Sequence, residues 1–232
     1  MIGRARCLAG LDIGSTATTA VLVEAGPGWE SDSGQVRVLG VGVAHTEGVR
    51  NRNVTHIEAA TESVREALRD AEDMAGVEAG VVYAGVAGDH IDVGSSSGVV
   101  AVTGDEVEQN ALDRVHDVGR AIVIPPDREL LHASPQDCVV DGQAGSQDPR
   151  GREAPRLESE VCVVTAGSPA CQNIRKAIDR AGYRTEELVF SPLATSLAVL
   201  SDDQRQAGVV LLEIGGMATE MMVYRDARLH LV

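Results

Sequence analysis

One short pattern occurs twice in this chain, in constant register. It reads Leu11-Asp12-Ile13-Gly14-Ser15-Thr16-Ala17-Thr18 near the start, and Leu212-Glu213-Ile214-Gly215-Gly216-Met217-Ala218-Thr219 far downstream. One offset of 201 residues, from Asp12 to Glu213, also superposes the isoleucine, the first glycine, the alanine and the threonine. Each copy is an apolar run, an acid, Ile-Gly with small residues, and a second apolar run. Such a pattern predicts a tight hairpin with an acid at the end of its first strand. Whatever this chain folds into must present two like hairpins.

The residue types in the turns point to phosphate. A polyphosphate needs amide donors and close backbone approach, which glycine allows, and a Ser or Thr hydroxyl adds a donor. An acid beside phosphate repels it unless it holds Mg²⁺, directly or through water. Gly14, Ser15 and Thr16 are therefore candidate donors on one side, and Gly215 and Gly216 on the other. Asp12 and Glu213 are the candidate metal residues. Competing phosphate motifs fail: the single lysine, Lys176, follows no glycine loop, so there is no GxxxxGK[ST]. Gly40-Val41-Gly42 lacks the third glycine and the helix start of a dinucleotide fingerprint, and reads as strand. Ser15 and Thr16 have no paired base in sequence, which favours donor roles over nucleophilic ones.

Composition excludes other classes. The net charge of −15 repels a nucleic-acid backbone, and aromatics at 2% leave no stacking platform for bases. The core must be built from Val, Leu, Ile and Ala. Cys7, Cys138, Cys162 and Cys171 show no CxxC, which reads as reduced cytoplasmic thiols. The histidines show no HxxxH or HExxH spacing, and no apolar run reaches the ~18–20 residues of a membrane span.

Strand patterns alternate with helical ones, which predicts an α/β mixed sheet. Thr55-His56-Ile57-Glu58 and Thr103-Gly104-Asp105-Glu106 read as capping boxes that open helices. The first helix has an apolar stripe at Ile57, Ala60, Val64, Ala67, Leu68 and Ala71, with Gly76 as its stop. Gly26, Pro27 and Gly28 through Gly34 read as a hairpin loop, residues 121–141 as strands broken by prolines, and residues 142–156 as a long exposed loop. Pro192 opens a helix whose buried positions are read as Leu193, Leu197 and Leu200. Residues 81–160 depart from the alternating rhythm and read as an inserted α+β unit.

These residues resemble a known family. Gly10 to Thr16 is similar to the first phosphate loop of the actin superfamily, and Leu212 to Gly216 to the second; within it the chain resembles the FtsA family. Further likeness lies in Gly40-Val41-Gly42 with Gly48-Val49, in Ile57 to Gly76, in Val82 to Ile91, and in Val161 to Ala177. The resemblance implies an actin-like (ribonuclease-H-like) mixed sheet carrying an inserted subdomain of the SHS2 type. Residues 1–80 with 161–190 would form the first actin-like subdomain, 81–160 the insert, and 191–232 the start of an incomplete second lobe.

The resemblance also implies ATP and Mg²⁺ as cofactors, held by Asp12, Gly14, Ser15, Thr16, Glu213, Gly215 and Gly216, with at most weak ATPase activity. It implies FtsZ and other division proteins as partners, self-association, and a cytoplasmic location peripheral to the inner membrane face, not through residues of this chain. Glu213 stands where relatives usually carry aspartate, Met217 at the third glycine, Ala218 at a threonine, and Ala17 where many carry lysine. Two rival readings are a nucleotide-independent interaction scaffold and an enzyme of the sugar kinase or exopolyphosphatase type.

Overall fold

The structure is a computed structural model that describes residues 6–26, 36–104, 106–146 and 148–231. Beyond Gly26, the loop expected through Gly34 lies outside the described residues, as does Asp105 of the second expected capping box. In order, the elements are β1 (Arg6–Ile13), β2 (Ala17–Ala25), β3 (Val36–His45), β4 (Val49–Arg50), β5 (Asn53–Val54), α1 (Ile57–Ala75), β6 (Val82–Val86) and β7 (Ile91–Ala101). There follow α2 (Gln109–Arg120), β8 (Arg128–Val140), β9 (Gln143–Ser146), β10 (Arg156–Gly167), α3 (Ser168–Ala181), β11 (Thr185–Phe190), α4 (Ser191–Val199) and α5 (Asp202–Ala207). The last are β12 (Val209–Ile214), β13 (Thr219–Arg225) and β14 (Arg228–Leu231).

Contacts divide the chain into two units. The first takes the residues through His90, Ser168–Ala198 and Leu212–Glu220; the second takes Ile91–Gly167, Val199–Leu211 and the residues from Met221 on.

The first unit is built on a mixed sheet in the order β11-β6-β1-β2-β3. β1, β2 and β3 run antiparallel, whereas β6 is parallel to both β1 and β11. Helix α1 lies directly on β3, and the glycines of Gly40-Val41-Gly42 make that approach possible. A Cβ on Gly42 would collide with the Ala67 carbonyl oxygen and stand 2.7 Å from the Ala71 nitrogen; one on Gly40 would meet Ala71 and Ala75 in the same way. Of the stripe read from sequence, Ala60, Val64, Ala67, Leu68 and Ala71 are buried and Ile57 is half-buried, and Gly76 ends the helix in a left-handed conformation with φ 68°.

The cap of α1 differs from the expected box. His56 is the N-cap, its Nδ1 accepting from the Ala59 N–H at 3.2 Å. The Thr55 hydroxyl donates instead to the Gly48 carbonyl, and Glu58 pairs with Arg180 of α3 at 2.5 Å. Thr55 is thus committed to the preceding turn before the helix begins. A second tie between these helical segments is the Tyr183 hydroxyl, which donates to Glu72 Oε2 at 2.9 Å. Burial, then the bond to Glu72, pushes the Tyr183 pKa up to about 12. The neutral phenol is the form the fold favours, so this contribution is intact below the ordinary tyrosine range and is lost as pH rises from about 10 to about 12. An absorbance titration should show one late-ionising tyrosine, and Tyr183→Phe should remove that late step.

The second unit holds the antiparallel sheet β7-β10-β8-β9, with α2 packed across it. Its core gathers Val107, Ala111, Val115, Cys138, Val140, Ala154 and Leu157. Helix α2 starts at Gln109 after Glu108, which makes no side-chain cap, so the box expected at Thr103 does not open it.

Residues 121–141 hold one long strand, β8, and Pro135 is tolerated within it because it sits at a register shift opposite Val161. The long loop expected over 142–156 begins instead as a strand. Asp141 and Gly142, with φ 49° and 78°, form a two-residue hairpin between β8 and β9, the type I′ geometry that Asp-Gly favours. α4 also departs from expectation: its buried positions are Ser191, Pro192 and Ser196, whereas Leu197 is 66% exposed. The small residues permit close approach of the helix, while Leu197 turns outward and Leu193 and Leu200 are half-buried.

Candidate functional site

Both copies of the repeated pattern fold as expected. Asp12 is the penultimate residue of β1, and the Gly14 N–H donates to the Ala17 carbonyl at 3.0 Å. Glu213 lies near the end of β12, and the Gly215 N–H donates to the Ala218 carbonyl at 2.9 Å. The two turns close with the same bond at the same offset. They also touch: a Cβ on Gly216 would collide with the Thr16 methyl and lie 3.1 Å from the Thr16 hydroxyl. The amides of Gly14 and Gly215 are therefore committed to their own turns, and Thr16 packs against its counterpart loop.

Arg52 stands between the two acids. It belongs to a two-residue hairpin, Asn51-Arg52, joining β4 to β5, with φ 48° and 63°. A left-handed conformation disfavours any side chain with a Cβ, by roughly 1–2 kcal/mol per residue, and this hairpin type normally takes glycine. The Arg52 N–H donates to the Ser15 hydroxyl oxygen at 3.3 Å. Its guanidinium reaches Asp12 Oδ1 at 3.2 Å, Glu220 Oε2 at 3.2 Å and Glu213 Oε2 at 3.7 Å. The side chains of Arg52, Glu213 and Glu220 are only 12%, 16% and 13% exposed, and Asp12 is 50% exposed. Burial holds the Glu220 carboxyl above its usual range; Arg52 draws it down, while Glu213 and Asp12 push it up.

A cavity of about 660 Å³ opens beside this cluster, lined by Gly10, Asp12, Thr19, Arg52, Tyr83, Gly85, Ser191, Thr195, Glu213 and Gly215 among others. Its volume lies in the range of small-molecule sites. Ser191 is 8% exposed, and its hydroxyl oxygen has no hydrogen-bond partner. A Cβ on Gly85 would come 2.5 Å from that oxygen and 3.2 Å from Asp12 Oδ1. Glycine at 85 therefore leaves a cradle with an unsatisfied hydroxyl on one side and a carboxylate on the other. Such a cradle fits a polar ligand atom. A divalent cation does not fit as the side chains stand, because the carboxylates converge on a guanidinium. Among the described residues no group of three or more His, Cys, Asp or Glu is placed to hold a metal ion.

Arg52, Glu220 and Ser191 were not singled out in the sequence. Glu220 was within reach, since the same offset sets it opposite Thr19, which lines the cavity. Arg52 carried a weaker signal, a polar Asn-Arg-Asn run between two valine strands.

Comparison with known proteins agrees with this fold. A family profile described as "SHS2 domain inserted in FTSA" matches residues 88–165. The cell division protein FtsA of Neisseria meningitidis serogroup B is 36% identical over 225 residues, covering 97% of this chain and 53% of that protein. The Pseudomonas aeruginosa FtsA is 34% identical and the Escherichia coli K12 FtsA 30%, each again over 97% of this chain. The chain belongs to the FtsA family.

It spans about half the length of the curated FtsA relatives it matches. In fold, this FtsA-family chain is similar to a solved PilM-PilN type IV pilus biogenesis complex, with TM-score 0.63 at 17% identity over 97% of this chain and 60% of that one. It is also similar to the ethanolamine utilization protein EutJ from Carboxydothermus hydrogenoformans, with TM-score 0.51 at 13% identity over 100% of this chain and 52% of that one. These neighbours, with the SHS2 match, make the fold actin-like, a mixed sheet with an inserted SHS2 domain. No helix among the described residues is long and apolar enough to cross a membrane.

Proposed function

We propose that this chain works in cell division as an FtsA-type module that binds the phosphates of ATP weakly and joins an assembly of division proteins. The observation that carries the reading is the pair of like turns, Gly14–Thr16 and Gly215–Gly216, in contact beside a cavity with an unsatisfied buried hydroxyl. Asp12, Gly14, Ser15, Thr16, Glu213, Gly215 and Gly216 are the proposed phosphate-facing set, with Ser191 added. Ser15 and Thr16 supply hydroxyls, Ser191 supplies a donor from α4, and Asp12 and Glu213 form the acidic side of the cleft, drawn onto Arg52. Titration with a fluorescent ATP analogue should show binding weaker than micromolar, and Ser191→Ala should weaken it by about threefold to tenfold. Tight binding, or no response to Ser191→Ala, would count against this site.

FtsZ, membrane attachment in the full-length family, and self-association complete the proposal; residues 81–160 are its interaction subdomain. Strand β12 gives self-association a physical basis. Val210, Leu212 and Ile214 are 55%, 53% and 79% exposed on one face of the strand. Such an apolar row favours pairing with another chain. Light scattering at rising concentration should report species larger than a monomer, and Leu212→Asp with Ile214→Asp should restore the monomer. A monomer at every concentration would remove this part of the proposal.

A further inference from the structure

We propose that Arg52 is the resident cation of this cleft, holding Asp12, Glu213 and Glu220 so that the two turns are bridged without a divalent metal. The inference builds on reading the paired turns as a phosphate-type cleft, and it changes which cation that cleft uses.

Three observations converge on it. Carboxylates from both turns point at one guanidinium: Asp12 Oδ1 at 3.2 Å from the first, and Glu213 Oε2 at 3.7 Å and Glu220 Oε2 at 3.2 Å from the second. The guanidinium is enclosed rather than solvated, at 12% side-chain exposure. The backbone carrying it is fixed from the same side, by the Arg52 N–H to the Ser15 hydroxyl, in a conformation that arginine rarely adopts. Arginine suits the position because its planar fork donates to several carboxylates at once and stays charged. A magnesium ion needs oxygen ligands at about 2.0–2.1 Å in near-octahedral array. To obtain them from these acids it must first drive an enclosed, hydrogen-bonded side chain out of its seat.

The exchange is a competition of cations for the same oxygens. With Arg52 present, three acids meet one positive charge. With Arg52 removed, two nearly enclosed glutamates and Asp12 face one another, and a divalent ion becomes the group that relieves their repulsion. Arg52→Gly is the informative variant, because glycine is at ease at φ 63° and the hairpin is preserved.

The test uses Mn²⁺ alone as the spectroscopic probe, on the full chain and without nucleotide. Electron paramagnetic resonance titration should show no stoichiometric Mn²⁺ on the parent chain. It should show one ion on Arg52→Gly, with affinity at least tenfold tighter, and Glu220→Gln in that background should abolish the gain. Circular dichroism confirms that each variant is folded. Stoichiometric Mn²⁺ on the parent chain overturns the proposal, as does a folded Arg52→Gly chain that takes up none. If Arg52→Gly does not fold, the parent titration still decides, since the proposal forbids metal there. Competition by Mg²⁺ confirms that the site is not peculiar to manganese. Because no nucleotide is present, failure of ATP binding and failure of this proposal are read separately.

Discussion

Replacing Arg52 with alanine should lower the free energy of unfolding by about 2–4 kcal/mol, the largest loss expected from a single side chain on the surface of this cleft. Enclosure is the reason. Exposed ion pairs contribute little because water and salt screen them, whereas Arg52, Glu213 and Glu220 are each at most 16% exposed. Truncation leaves two glutamates without their cation, and Glu220 already has one carboxylate oxygen buried with no partner. Arg52→Gly should be less damaging by about 1 kcal/mol, because it relieves the left-handed backbone that alanine would retain. Urea unfolding curves on the three chains give the comparison. High salt should alter the parent's loss only modestly, since enclosed pairs are poorly screened. If alanine and parent agree within about 0.5 kcal/mol, the guanidinium is solvated in solution.

Gly42→Ala should destabilise the first unit by about 2–3 kcal/mol or more, through backbone rather than side-chain collision. A flexible side chain can yield to an added methyl, but the Ala67 carbonyl and the Ala71 amide belong to the ladder of α1 and cannot move alone. The helix must lift from β3, opening voids around Val64 and Leu68, both fully buried. Gly40→Ala should behave alike. Gly10→Ala is the control, since an added Cβ there meets nothing within 4 Å. Thermal unfolding separates them: a clear drop for the two β3 variants and little change at Gly10. Equal drops would mean the loss reflects strand propensity instead of helix approach.

Legibility in the sequence tracked the range of the interaction. The repeated turn was readable because its acid, glycines and flanking apolar runs lie within eight residues, and its closure depends on those residues alone. The α1 stripe and its glycine stop were readable for the same reason. Capping was less so: Thr55 has the right spacing to Glu58, but its hydroxyl donates to the Gly48 carbonyl, a turn contact that the spacing of a capping box does not encode. The box that forms is Ser201 with Gln204 at the start of α5, a six-residue helix with no buried position to mark it in the sequence. Asp141-Gly142 was a local signal of a hairpin, obscured by the polar, proline-containing stretch around it. α4 misled because spacing of leucines marks a face without saying which way it turns. Arg52 is the least legible residue of the cleft, since its partners include Asp12, 40 residues before it, and Glu220, 168 residues after it.

The alternation along β12 makes the cleft sensitive to reading frame within the strand. Glu213 turns inward while Leu212 and Ile214 turn out, and a strand has only two faces. Loss of one residue from the bend at Gly208 would rotate the strand by half a turn. A leucine or isoleucine would then stand against the guanidinium, and the glutamate would face water. A substitution at Glu213 removes one partner of Arg52; a one-residue deletion upstream would invert an entire wall. Insertions and deletions near Gly208 should therefore be tolerated only in pairs.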